Sequence, residues 1–249
     1  MKHIIYILAF LFSTIVMAQN NALFEKGNTL YNEGKYAEAV DAYSSILETE
    51  NHSAAIYFNL ANAHYKLNNV APSIYYYEKA LQLSPNDDDI KNNLSFAKNM
   101  TVDAIDILPE TGFSKLGKKI THAFTFDGWA KLAVTFVFLF VILFLMYHFA
   151  YSTLKKRLAF IVSNVSLLLM IIALLLAFHK YGLDKKDKPA IVFAQESKVK
   201  SEPNKRSEES FRLHEGTKVQ VLDTVKDWKK IKLADGKTGW VSAKDIKAL

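Results

Sequence analysis

Asn28, Tyr31 and Asn32 are followed 34 residues later by Asn62, Tyr65 and Lys66, and each set is led by a phenylalanine, Phe24 or Phe58. Amides and phenols do not make a nucleophile or a general base near neutral pH. They suit recognition instead, because an amide offers both a donor and an acceptor and a tyrosine adds a hydroxyl to a broad ring. Asn side chains at a fixed interval can pair with the backbone of an extended ligand while the rings cover its side chains. The candidate groove is therefore Phe24, Asn28, Tyr31, Asn32, Phe58, Asn62, Tyr65 and Lys66. The alternative is that these residues only build the scaffold of a repeat. Reaction-bearing motifs are missing: there is no G-x-S-x-G, no H-E-x-x-H and no phosphate-cradling glycine loop. Cysteine is absent, which excludes disulfides, thiolate chemistry and Cys-ligated metals, and the seven histidines are scattered. The expectation is a non-enzymatic protein with no metal and no cofactor.

The elements that must position the groove follow from the same interval. Laying residues 20–53 on 54–87 brings Gly27 onto Ala61, Ala39 onto Ser73, Val40 onto Ile74, Tyr43 onto Tyr77 and Leu47 onto Leu81. A 34-residue period with small residues at fixed places is the tetratricopeptide signature, a helix–turn–helix in which small residues allow close crossing and aromatics fill the gaps. Gly34 and Asn68 mark the inner turns and Pro85 ends the second repeat. Residues 88–100 form a capping helix, with Asp87, Asp88 and Asp89 at its positive end and Leu94 aligned with Leu60. Two repeats and a cap are short for a closed core, so the module must gain burial from a neighbour.

Residues 133–151 and 158–178 carry no Asp, Glu, Lys or Arg, long enough for two bilayer-spanning helices. The spans are set at 129–151 and 158–179, joined by a loop at 152–157 that holds Lys155, Lys156 and Arg157. Residues 1–18 have the form of a secretory signal peptide: Lys2, an apolar stretch from Ile4 to Phe12, and cleavage after Ala18. The alternative is an uncut N-terminal anchor. Either form sends the repeats to the outer side of the cytoplasmic membrane. The first span then runs inward and the second outward, so the Lys155–Arg157 loop lies in the cytoplasm as the positive-inside rule expects. Lys115, Lys118 and Lys119 on one outer flank, and Lys180, Lys185, Lys186 and Lys188 on the other, weaken that asymmetry. The signal peptide decides it. In the neck, residues 101–128, the spacing of Phe113, Leu116, Ile120 and Phe124 opposite the lysines fits a short helix lying on the membrane surface, with a plain linker as the alternative. Trp129 and Tyr151 bracket the first span at interface positions. Ser163, Asn164 and Ser166 in the second span are expected to pack helices together rather than to carry a substrate, since no acid or arginine lines either span.

After a linker at 180–189 the period changes. VQVL and KIKL alternate, Asp235-Gly236 marks a hairpin turn, and Glu215-Gly216 an earlier one. The run LHEGTKVQVLDTVKDWKKIKLADGKTGWV resembles the bacterial SH3 domain over residues 190–249, and VKSEPNKRSEES resembles its long first loop. Trp228 and Trp240 are expected in the barrel core, with a contact surface for a ligand as the alternative. Residues 19–106 carry a net charge of −6 and residues 185–249 a net charge of +6, so the two soluble modules could touch. The overall basic balance would suit nucleic acid, but an extracytoplasmic location argues against such a partner.

The fold class is thus multidomain: all-α tetratricopeptide repeats at 19–100, a two-helix transmembrane hairpin and an all-β SH3-like barrel. That order, with the GTKVQVL…DGKTGW run, resembles the BatE family of bacterial aerotolerance operons. The resemblance implies an inner-membrane protein with both soluble modules in the periplasm. It would act beside membrane proteins with von Willebrand factor A-type domains and a MoxR-type ATPase. Two readings follow: a scaffold for protein partners, or an envelope anchor whose barrel binds peptidoglycan peptides.

Overall fold

The computed structural model describes residues 20–105 and 112–249, without the side chains of Phe113 and Ser114. The signal peptide expected at 1–18 and the apolar position of Phe113 lie outside this set. The described residues fall into two compact units. One joins residues 20–105 to 189–249, and the other holds residues 112–188.

In the first unit the 34-residue pattern becomes paired helices. Residues 20–32 are helical (α1) and are followed by α2 (Tyr36–Leu47), α3 (Ala54–Lys66), α4 (Val70–Leu83) and α5 (Asp88–Lys98). The turns fall where the sequence placed them, with Gly34 and Asn68 at φ of 79° and 60°. Ser53 caps α3 by accepting from the Ile56 N–H, and Asp87 caps α5 by accepting from Asp89 and Ile90. Gly27 shows why the first position of the small-residue pattern is small. A Cβ there would sit 2.5 Å from the Tyr43 ring. Ala39, Tyr43, Ile46, Ile56, Leu60 and Ala63 form one core, and α3, α4 and α5 build a second around Ala61, Ile74, Tyr77 and Leu94.

Residues 189–249 form one antiparallel sheet: β1 (Pro189–Val192), β2 (Glu196–Lys200), β3 (Glu209–His214), β4 (Lys218–Val225), β5 (Trp228–Lys232), β6 (Thr238–Ser242) and β7 (Ile246–Ala248), in the order β3-β2-β6-β5-β4-β1-β7. Val199, Leu213, Val219, Ile231, Val241 and Ile246 pack its core. The core does not include the tryptophans, contrary to expectation. Trp240 pairs with Lys230, Trp228 pairs with Ser242, and Ile231 and Val241 point the other way. Strand alternation therefore puts Trp228, Lys230 and Trp240 on the outer face, where both rings are half-buried.

The neighbour that the short solenoid needs is the sheet itself. Ile191 is fully buried in the α3–α5 core, with Phe193 and Leu249 packed beside it. Around this apolar seam the charges meet as the opposite nets suggested. Glu78, nearly buried, lies 2.7 Å from Lys218 and 3.0 Å from Lys98. Burial alone would raise its carboxyl, but the two ammonium groups outweigh burial and hold it below the usual range. Asp103 accepts from the His214 N–H at 2.7 Å and from the Thr217 hydroxyl, and its other oxygen lies 2.7 Å from His214 Nδ1. Lys247 from β7 rests 4.5 Å from the Tyr75 ring centre, beside Tyr76 and Phe193. The contact thus combines a buried apolar seam with ion pairs at its edge, so high salt should weaken it in part, through the ion pairs alone.

His64 is expected to make this unit acid-sensitive. Its ring stacks on Tyr76 at 5.6 Å and its Nδ1 faces the Asn69 amide at 3.2 Å. Burial, and then the charge of Lys247, lower its pKa from 6.5 to about 4. Below pH 6.5 the unfolded chain takes up a proton that the folded one refuses until about 4, so stability falls as pH drops through that window. For a half-buried ring the loss is on the order of 2 kcal/mol. Asp103, held low by its hydrogen bonds against the opposing effect of burial, adds to this only below about pH 3.9. Melting curves between pH 7 and 4 should show the decline, and His64→Gln should flatten it; an equal slope in both proteins would show that other groups are responsible.

The second unit contains α6 (Gly112–Thr121), α7 (Phe126–Phe149) and α8 (Thr153–Lys186). The two long helices have mean hydropathies of 2.5 and 2.7 over their most apolar windows and are long enough to cross a bilayer. Their connection is shorter than the expected loop at 152–157. Only residues 150–152 are non-helical, and Lys155, Lys156 and Arg157 sit in the first turns of α8. The expected linker at 180–189 is also largely helix, because Lys180 and Asp184 form an i,i+4 pair at 2.6 Å and nothing stops the helix before Pro189. Trp129, expected at the membrane interface, packs inside the hairpin. It is buried against Ala133, Ala173 and Ala177, and its Nε1 donates to the Thr121 carbonyl at 3.2 Å. Tyr151 is fully exposed.

Candidate partner-binding groove

Two identical hydrogen-bonded triads organise the repeat surface. Asn28 Oδ1 accepts from the Tyr43 hydroxyl at 2.8 Å and from the Asn59 amide at 2.9 Å. One repeat later Asn62 Oδ1 accepts from the Tyr77 hydroxyl and from the Asn93 amide at 3.0 Å. All three members advance by 34 residues. Each tyrosine comes from the second helix of a repeat, and each Asn donor comes from the first helix of the next unit. The triad therefore ties three successive helices together. Tyr43 and Tyr77 are almost wholly buried, which pushes the Tyr43 phenol up to about 12 and the Tyr77 phenol up as well. Both stay protonated and act only as donors.

This geometry fixes what the groove offers. With two donors on each Oδ1, the Asn28 and Asn62 amides are held in one orientation, and the group left to meet a ligand is Nδ2. A ligand on this surface thus meets fixed donors, which suit peptide carbonyls or a carboxylate. Asn28, Tyr31, Asn32, Tyr43, Asn59 and Asn62 line a recess of about 330 Å³.

Four of the eight expected groove residues are in that lining: Asn28, Tyr31, Asn32 and Asn62. Phe24 and Phe58 are half-buried beneath it, bracing Tyr43 and Tyr77 with ring centres 5.9 and 6.0 Å apart. Tyr65 packs on the second core and Lys66 is exposed at the end of α3. Tyr31 also meets Tyr36 edge-on at 5.2 Å. Asn59 and Asn93 were missed, although their 34-residue separation was there to be seen. In the hairpin, Ser166 donates across to the Phe136 carbonyl on α7 at 2.9 Å, whereas Ser163 and Asn164 both donate to Phe160 of their own helix. Among the described residues no cluster of His, Asp and Glu could hold a metal ion.

Comparison with known protein families falls on the two halves of the soluble unit. Residues 24–88 match the tetratricopeptide repeat and residues 197–247 match the bacterial SH3 domain. Domains of both kinds are typically interaction modules. The repeat match contains the whole first triad, Asn28, Tyr43 and Asn59, whereas Asn93 of the second lies beyond it in the capping helix. The SH3 match begins inside β2, so β1, which carries Ile191 into the repeat core, lies outside it. No curated protein matches the chain.

Proposed function

We propose that this protein is a non-enzymatic adaptor of the bacterial inner membrane, whose repeat groove binds an extended segment of a partner on the extracytoplasmic side. The observation that carries this reading is the pair of triads, which hold Asn28 and Asn62 as fixed donors one repeat apart. An extended chain with carbonyls facing the groove matches them. The resemblance to aerotolerance proteins supports membrane partners with von Willebrand factor A-type domains and a MoxR-type ATPase system.

The packing of residues 20–105 with 189–249 in one unit favours the hairpin topology. Two modules that touch fit on one side of a membrane, which supports the reading that the two apolar helices between them cross it as a pair. The positive-inside rule and the signal peptide favour the outer side. Single cysteines at Asn51, Ser152 and Asp235 in this Cys-free chain test the arrangement. An impermeant thiol reagent outside the inner membrane should label the first and third; labelling of Ser152→Cys alone would reverse the topology.

A second reading rests on Trp228 and Trp240. Both lie on the outer face of the sheet, and Lys230 Nζ is 6.0 Å from the Trp240 ring centre. Half-buried indoles on an outer face beside a cation suit a peptidoglycan peptide, and the protein would then anchor to the cell wall. Retention of the solubilised chain on purified sacculi, lost on Trp228→Ala with Trp240→Ala, would favour this reading over the groove.

A further inference from the structure

We propose that α8 carries a second packing face, registered by Asn164, that joins two copies of this chain within the membrane. This rests on the reading of α7 and α8 as a membrane hairpin. One side of α8 is already used: Ala159, Ser163, Ser166, Ala173 and Ala177 are buried, and Ser166 bonds across to α7. The opposite side holds Ile161, Asn164, Leu168, Ile171, Leu175 and Phe178. These recur at alternating steps of three and four residues, the heptad spacing of helices that cross at a shallow left-handed angle. All six are exposed, Leu175 and Phe178 by 64% and 65%.

Asn164 distinguishes this stripe from an ordinary lipid-facing surface. It lies four residues, or about 6 Å, from the middle of the apolar run 158–178. One N–H of its amide reaches the Phe160 carbonyl at 2.8 Å. Among the described residues nothing accepts its other N–H and nothing donates to its Oδ1. Lipid tails can do neither, so the free amide is costly at this depth. A second α8 satisfies it. All copies insert in the same direction, so a two-fold axis along the membrane normal brings Asn164 opposite Asn164. A primary amide is its own complement: the N–H of each can bond the Oδ1 of the other. A different helix would need its own polar group at the same depth.

The test uses the full-length, Cys-free chain in native membranes. Cysteines replacing Leu168 or Leu175 should form an oxidised species of twice the chain mass. Cysteines replacing Val162 or Leu169, exposed on another side of α8, should not. Adding Asn164→Leu to Leu168→Cys should cut the cross-linked fraction roughly tenfold at low expression, and Asn164→Gln should retain most of it. Equal cross-linking at stripe and control positions, indifference to Asn164→Leu, or an adduct only with another protein would each overturn the proposal. Carbonate extraction separates this failure from that of the hairpin reading. A chain that stays in the membrane without cross-linking overturns the pairing alone, whereas release into the supernatant overturns the hairpin and the pairing together.

Discussion

Gly216→Ala is expected to lift the sheet off the repeats while leaving each folded. Gly216 turns the chain between β3 and β4 at φ of 87°, and an added Cβ would meet Thr101 at 2.8 Å, Ile74 at 2.9 Å and Val70 at 3.0 Å. Two costs combine. A side chain in the left-handed region costs about 1–2 kcal/mol, and forcing a methyl into a packed seam costs about 1–3 more. Only the second acts on docking, because the turn keeps its φ whether or not the sheet is docked, so the docking equilibrium shifts by roughly fivefold to a little over a hundredfold. Hydrogen exchange should show it: amides of α4 and β1 lose protection, while those of β5 and β6 keep theirs. Gly34→Ala is the control, because Gly34 has φ of 79° but open space around its Cβ position. It should cost only the strain of about 1–2 kcal/mol and leave α4 and β1 protected. Equal effects of the two substitutions would mean that the seam does not hold the modules together.

Replacing both groove amides, Asn28→Leu with Asn62→Leu, should abolish partner capture and also destabilise the repeats. The buried hydroxyls of Tyr43 and Tyr77 lose their acceptors, at about 1–3 kcal/mol each. Partner recovery should fall more than tenfold, since the loss of two donors at a desolvated contact exceeds about 1.4 kcal/mol. Tyr43→Phe and Tyr77→Phe added to this variant separate the two effects. They remove the orphaned hydroxyls and should restore much of the melting temperature, because replacing both partners of a buried bond by apolar groups is nearly neutral. Capture should stay lost. If capture returned with stability, the amides would serve the scaffold alone.

Local patterns in the chain announced most of the architecture. The 34-residue interval placed the helices of the repeats, and Gly34, Asn68 and Asp87 marked turns and a cap because those residue types suit positive φ or an exposed helix N-terminus. The two uncharged runs announced the hairpin, but not its ends. Lys155, Lys156 and Arg157 looked like a loop by charge, yet basic residues are good helix formers and continue α8. Composition put Trp228 and Trp240 in a core; strand register, which alternates by single residues, put them outside it. The seam was the least legible part. Asp103 and His214 are 111 residues apart, and only the opposite net charges of the modules hinted that they meet. Within the groove, Asn28 and Asn62 were found from type and spacing. Their hydrogen-bond partners needed the fold, because the 34-residue interval does not say that a donor one or two helices away turns its side chain to the same amide.

The central claim, that one extended partner segment lies along the two repeats, is tested most directly by photo-crosslinking from the groove in intact membranes. A photoreactive residue placed at Asn32 or at Lys66, both exposed and equivalent in successive repeats, should capture the same short stretch of one extracytoplasmic protein. The two attachment points should be displaced along that stretch in a constant direction, and the same residue at Asp41 on α2 should not capture it. Capture from Asp41 as readily as from the groove, or unrelated targets from Asn32 and Lys66, would contradict the account.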